Sequence, residues 1–147
     1  MKVLVTGGSG VVGQAAIREI LGEGHTVRLL SQDAAEAAKQ WPSGVEPWPA
    51  SITDHMALRG CAEGCELVLH AAESTDEWGS MTYEVVNVDG TRGIVREAER
   101  CNVGRFIYLS SLGAETGESL YHRSKRRAED VVRTFAGGWI ILRPGNV

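Results

Sequence analysis

Short apolar runs alternate along the chain with longer stretches in which apolar residues recur at helical spacing. Lys2–Thr6 (KVLVT), Thr26–Leu30, Glu66–Ala71 (ELVLHA), Arg105–Ser110 (RFIYLS) and Trp139–Arg143 (WIILR) are brief and rich in β-branched, leucine or aromatic residues, the pattern of buried strands. Val45–Pro49 reads as a further strand, and its two prolines suit a sheet edge, where a missing N–H breaks no ladder. Gly13–Gly22 carries Ala16, Ile17, Ile20 and Leu21 on one helical face and is stopped by Gly22 and Gly24. Helices are likewise predicted for Asp33–Gln40, for Asp54–Gly60 with Asp54 as cap, for Tyr83–Cys101 with a glycine at Gly90, and for Leu120–Phe135. Strands that are apolar on both faces, alternating with helices, predict a doubly wound α/β fold: a parallel sheet with helices on both faces.

Composition narrows this picture. A chain of 147 residues, 43% of them apolar, makes one globular domain, and no repeat or linker divides it. The net charge of -4 argues against a nucleic-acid partner, which would need a basic face. The basic run Arg123, Lys125, Arg126, Arg127 is followed by Glu129 and Asp130, as on a solvated helix face. Cys61, Cys65 and Cys101 form neither a CxxC pair nor a zinc-type cluster, so reduced thiols and a cytoplasmic location are expected. No apolar run reaches the length of a membrane span, so no membrane partner is expected, and Met1 leads straight into a strand pattern rather than a leader.

The chemistry starts at Thr6-Gly7-Gly8-Ser9-Gly10-Val11-Val12-Gly13. This glycine-rich turn directly follows the first strand and opens the first helix, the context in which such spacing binds the pyrophosphate of NAD or NADP. Gly7 permits the tight turn, Gly10 lets a phosphate approach the backbone, and Gly13 lets helix and strand pack closely. Ser9, Val11 and Val12 complete the turn, and the helix end offers free N–H groups to the phosphates. In a doubly wound sheet the fourth strand lies beside the first. Its end, His70-Ala71-Ala72, is therefore expected to line the pocket, with His70 as a hydrogen-bonded core histidine rather than a catalyst.

Taken in order, TGGSGVVG at Thr6–Gly13, HAA at His70–Ala72, VNVDGT at Val86–Thr91, YLSSLGA at Tyr108–Ala114, YHRSK at Tyr121–Lys125 and RPGNV at Arg143–Val147 resemble the short-chain dehydrogenase/reductase superfamily. The resemblance is to its extended or atypical branch, also called the NAD-dependent epimerase/dehydratase family. It covers the whole chain and implies a Rossmann fold and hydride transfer between nicotinamide and a carbinol or carbonyl substrate. It also implies roles for residues. Tyr121 would be general acid/base, and Lys125 would favour its phenolate and hold the nicotinamide ribose. Ser111 would anchor the substrate oxygen, Asn87 belongs to the helix lining the site, and the backbone of Pro144 to Val147 would meet the nicotinamide amide.

The chain departs from this pattern in instructive ways. Ser31 stands where an NAD enzyme of this type has an acid, followed by Gln32 rather than arginine. Loss of the acid tips the expected choice towards NADP, with Ser31 and Gln32 as donors to a 2′-phosphate. Ser51 replaces the aspartate that touches adenine, leaving Ile52 and the backbone to hold the base. Ser111 and Tyr121 are only ten positions apart. That spacing resembles atypical members, some of which are reductases while others hold the dinucleotide as sensors or structural subunits without turning it over. Members also continue past RPGNV into a substrate domain, so the chain is expected to be the N-terminal part of a longer protein, with its small-molecule substrate undetermined. A homodimer would use the helices Tyr83–Cys101 and Leu120–Phe135, with Val85, Val88, Val95, Val131 and Val132 as candidate contact residues; the alternative is that these valines face the sheet.

Overall fold

The computed structural model describes residues 1–145. Six strands, β1 (Lys2–Thr6), β2 (Thr26–Ser31), β3 (Val45–Pro49), β4 (Leu67–His70), β5 (Arg105–Leu109) and β6 (Gly138–Leu142), form one sheet in the order β3-β2-β1-β4-β5-β6. Every neighbouring pair is parallel. The proline-containing β3 lies at an edge, where its lost donors cost nothing.

Four α-helices, α1 (Val11–Gly22), α2 (Ala34–Ala37), α3 (Gly90–Arg100) and α4 (Leu120–Arg133), cover the two faces. Side chains alternate across β1, so each face acquires its own core. Val3 and Val5 pack with Ile17, Val27 and Leu29 under α1. Leu4 packs with Val68, Ile94, Phe106 and Val132 under α3 and α4. The chain winds from β1 outward to β2 and β3, then returns on the other side of β1 through β4. This reversal opens a crevice at the carboxyl ends of β1 and β4.

One expectation is corrected and another refined. Residues 54–60 form successive turns rather than a helix. Asp54 does cap, accepting the Ala57 N–H at 3.1 Å. Leu58 N–H makes one helical bond, to the Asp54 carbonyl at 3.1 Å, but Arg59 N–H bonds three residues back to Met56 and Gly60 N–H is taken by the Glu97 carboxylate at 2.8 Å, so the i→i−4 ladder stops there. The long helix from Tyr83 begins with a π-helical stretch, Glu84–Asp89, and becomes α-helical only at Gly90. There a Cβ would sit 2.8 Å from Ile52 Cδ1, so glycine allows the helix to close on the loop after β3. Of the valines on the two long helices, Val88, Val95 and Val132 are buried, and Val95 and Val132 belong to the core under α3 and α4. The groove between α3 and α4 is lined by Val95 and Val131 among Arg92, Arg96, Glu99, Arg127 and Asp130.

Cys61 and Cys65 are buried free thiols, and burial pushes Cys61 up to about 12, which makes it a packing residue. Among the described residues no helix is long and apolar enough to cross a membrane.

Candidate functional site

A cavity of about 770 Å³ occupies the crevice at the carboxyl ends of β1 and β4. It begins at the glycine turn, passes Ser31 and Ser51 on one flank, and reaches Ser111 and Tyr121 on the other.

The turn is built by contact with the end of β4. Gly7 has φ +72°, and a Cβ there would meet the Ala71 carbonyl carbon at 2.5 Å and the Ala72 nitrogen at 2.6 Å. A Cβ on Gly13 would fall 2.1 Å from the Gly7 oxygen. Both positions are closed to any side chain, and β1, α1 and β4 therefore converge on one point. Helix α1 starts there after Gly10 without a side-chain cap. Gly10, Val11, Val12 and Gly13 line the cavity together with Gly7 and Ser9, and the positive end of the α1 dipole faces it.

His70 backs this convergence. It is fully buried between the Thr6 hydroxyl, 2.6 Å from Nδ1, and the Thr91 hydroxyl, 2.8 Å from Nε2. Thr91 donates its own proton to the Asn87 carbonyl, so it must accept from His70, which assigns the Nε2–H tautomer. Nδ1 then accepts from Thr6, whose oxygen takes the Ala71 and Ala72 N–H groups. Burial, reinforced by Lys125, drives His70 down to about 3, so the ring stays neutral.

On the flank beyond β2 and β3, Ser31, Gln32, Ser51 and Ile52 all line the cavity. Two of their hydroxyls have local partners. Ser31 donates to the Asp33 carboxylate at 2.9 Å, and the Ser51 and Thr53 hydroxyls lie 2.8 Å apart. Among the described residues no lysine or arginine lines the cavity.

At the opposite flank, Ser111 and Tyr121 line the cavity, as does Pro144. The Pro144 carbonyl accepts from Leu112 N–H at 3.0 Å. Arg143 is fixed by the buried Glu129 of α4, donating from Nε at 2.9 Å and Nη2 at 2.8 Å, and Ser110 donates to the same carboxylate at 2.6 Å. Burial opposes charge on Glu129, but Arg143 and Ser110 hold it below the usual carboxylate range. Val147 lies outside the described residues.

Lys125 and Asn87 stand behind the cavity wall together with His70. Lys125 is fully buried, with Nζ donating to the Leu109 carbonyl at 2.9 Å and lying 4.7 Å from the centre of the Tyr108 ring. Its third partner is a residue that sequence reasoning missed. Glu73, three residues past β4, lies 2.8 Å from Lys125 Nζ through Oε2, and the same oxygen accepts the Tyr121 hydroxyl at 2.8 Å. Burial lowers the basicity of Lys125 while Glu73 supports its charge. Burial and the Glu73 carboxylate both push Tyr121 above the usual phenol range, and only Ser111 pulls it down. Asn87 holds the segment that carries Glu73, accepting from Ser74 N–H at 2.8 Å and donating to the Ser74 carbonyl and the Ser124 hydroxyl. His122 and Thr75 also line the cavity without having been foreseen. The signal for Glu73 was its place directly after HAA, where any side chain enters the crevice.

The sequence and the fold have counterparts. A family model described as NAD(P)H-binding matches residues 7–147. The 2-alkyl-3-oxoalkanoate reductase of Stenotrophomonas maltophilia is 30% identical over 130 residues, covering 88% of this chain and 37% of that protein. A 3 beta-hydroxysteroid dehydrogenase/Delta 5-->4-isomerase of Mycobacterium tuberculosis is 33% identical over 119 residues, covering 75% of this chain and 31% of that protein. The crystal structure of a short-chain dehydrogenase/reductase superfamily protein from Agrobacterium tumefaciens with bound NAD superposes with a TM-score of 0.81 at 28% identity, over 97% of this chain and 48% of that one. The chain thus spans about a third of these curated relatives and about half of the solved structure.

Proposed function

Because the chain belongs to the NAD(P)H-binding family and has the Rossmann fold of the short-chain dehydrogenase/reductase and epimerase/dehydratase proteins, we propose that it is the cofactor-holding portion of an oxidoreductase acting between a carbinol and a carbonyl. The observation that carries this reading is the continuity of one cavity from the α1 N-terminus to Ser111 and Tyr121. The phosphates of a dinucleotide would lie against Gly10–Gly13, where Gly10 leaves room that no protein atom fills: its nearest contact to a Cβ is 3.6 Å. The group supplies hydride at its nicotinamide carbon. Ser111 would hold the substrate oxygen, Tyr121 would give or take its proton, and Lys125 would supply the positive charge behind Tyr121.

The adenosine flank supports NAD over NADP. Absence of an acid at Ser31 had favoured NADP, but the Ser31 hydroxyl is already donated to Asp33, whose carboxylate stands two residues on. A 2′-phosphate there would meet a negative charge and no lining cation. The curated relatives named as a reductase and a dehydrogenase/isomerase are consistent with hydroxyl–carbonyl chemistry.

Replacing Tyr121 with Phe in the full-length protein tests the reading. Turnover should fall by about 10²-fold or more while cofactor affinity is largely kept. Undiminished turnover would remove Tyr121 from the chemistry.

A further inference from the structure

We infer that Glu73 is a positioning residue of the site, a carboxylate latch that holds both the Tyr121 hydroxyl and the Lys125 ammonium and must be displaced by any ligand that engages either. The inference rests on the reading of Tyr121 and Lys125 as the working pair.

Three observations carry it. First, Tyr121 and Lys125 converge on the same oxygen, Oε2 of Glu73, at 2.8 Å each. A hydrogen bond to an ionised partner is about twice as strong as a neutral one, so neither group is free to bond elsewhere at no cost. Second, Lys125 is sealed: its side chain has 0% exposure, while that of Glu73 has 31% and lines the cavity. Glu73 is therefore the part of this trio that a ligand meets first. Third, the backbone on both sides of Glu73 is pinned. Ala71 and Ala72 N–H groups bond to Thr6, and Ser74 is held at N–H and C=O by Asn87. Displacement is thus a rotation of the Glu73 side chain about a fixed backbone, with no loop to rearrange.

The latch has two consequences. In place, it keeps the Tyr121 proton aimed at Glu73 rather than at the Ser111 side of the cavity. Moved aside, it leaves the ammonium of Lys125 without its ion-pair partner, so Lys125 can then act on Tyr121 alone or donate to a ligand oxygen. A ligand that ends at the phosphates meets none of this, whereas one that extends to Tyr121 must overcome it.

Wild type, Glu73→Gln and Glu73→Asp are compared in the whole chain carrying ¹³Cζ-tyrosine. The chain has three tyrosines, and Tyr121 is assigned by the resonance lost in Tyr121→Phe. Without added ligand, Tyr121 of Glu73→Gln should ionise about one pH unit or more below wild type. In parallel, Glu73→Gln should bind NADH roughly tenfold more tightly than wild type. ADP, which lacks the nicotinamide half, should bind wild type and variant alike. Glu73→Asp, shorter by a methylene, should move both readouts the same way by less, and replaces Glu73→Gln if that variant does not fold. An unshifted Tyr121 titration, or equal NADH affinity among proteins that bind ADP, overturns the latch. If wild type binds neither ADP nor NADH, the dinucleotide reading fails instead, and the tyrosine titration still decides the role of Glu73.

Discussion

Gly7 and Ala71 meet so closely that a Cβ on Gly7 would lie 2.5 Å from the Ala71 carbonyl carbon. The contact joins the β1–α1 turn to the end of β4, and it separates two kinds of glycine within one motif. Gly7→Ala clashes with backbone at a positive φ, and Gly13→Ala clashes with the Gly7 carbonyl, so each should destabilise the fold by about 2 kcal/mol or more. Gly10→Ala meets nothing nearer than 3.6 Å and should leave the melting temperature within a few degrees of wild type. Its cost should fall on dinucleotide affinity, about tenfold or more. Thermal unfolding beside a binding titration for the three variants checks the division.

His70 makes a pH prediction that can be isolated. Its folded-state value is depressed to about 3 by burial, so on acidification the unfolded chain takes up a proton before the native state does. Stability from this group is complete above about pH 6.5 and declines as pH falls towards 3. Between pH 7 and pH 5 the loss should be about 2 kcal/mol. His70→Gln keeps a donor and an acceptor but has no proton to gain, and its unfolding free energy should lose this limb. Urea unfolding at the two pH values measures it, and an equal loss in both proteins would place the titration elsewhere.

Asp33 is expected to set the choice of dinucleotide. Its carboxylate accepts from Ser31 at the flank where the adenosine ribose would lie. Asp33→Ala should leave NADH affinity within about threefold of wild type and raise NADPH affinity about tenfold, because a repulsive charge is removed without a new donor being added. Paired fluorescence titrations give the ratio, and an unchanged ratio would return the choice to Ser31 and Gln32.

The strands, the turn and the place of the fourth strand beside the first were legible because they depend on local apolar patterning and on one motif placed between a strand and a helix. What was not legible depends on residues far apart in the chain. The helix expected from Asp54 is cut short where the Gly60 N–H is taken by the Glu97 carboxylate, 37 positions along the chain. Glu73 went unread because its partners, Tyr121 and Lys125, lie 48 or more positions further along the chain, brought in by α4 packing over the end of β4. The spacing of Tyr121 and Lys125 places them on one face of α4, but it does not reveal that one faces the cavity and the other is sealed behind a carboxylate. The Asp33 contact was hidden for the opposite reason: it is only two residues from Ser31, but it exists only in the turn that follows β2.

On the proposed reading, the crevice at the ends of β1 and β4 holds a nicotinamide dinucleotide. Titration of the chain with NADH, followed by the nicotinamide fluorescence, tests it most directly. A saturable 1:1 complex with Kd of about 100 μM or tighter is expected, weakened about tenfold or more in Gly10→Ala at unchanged melting temperature. No saturable binding of NADH or NADPH up to about 1 mM by the folded wild-type chain would contradict it.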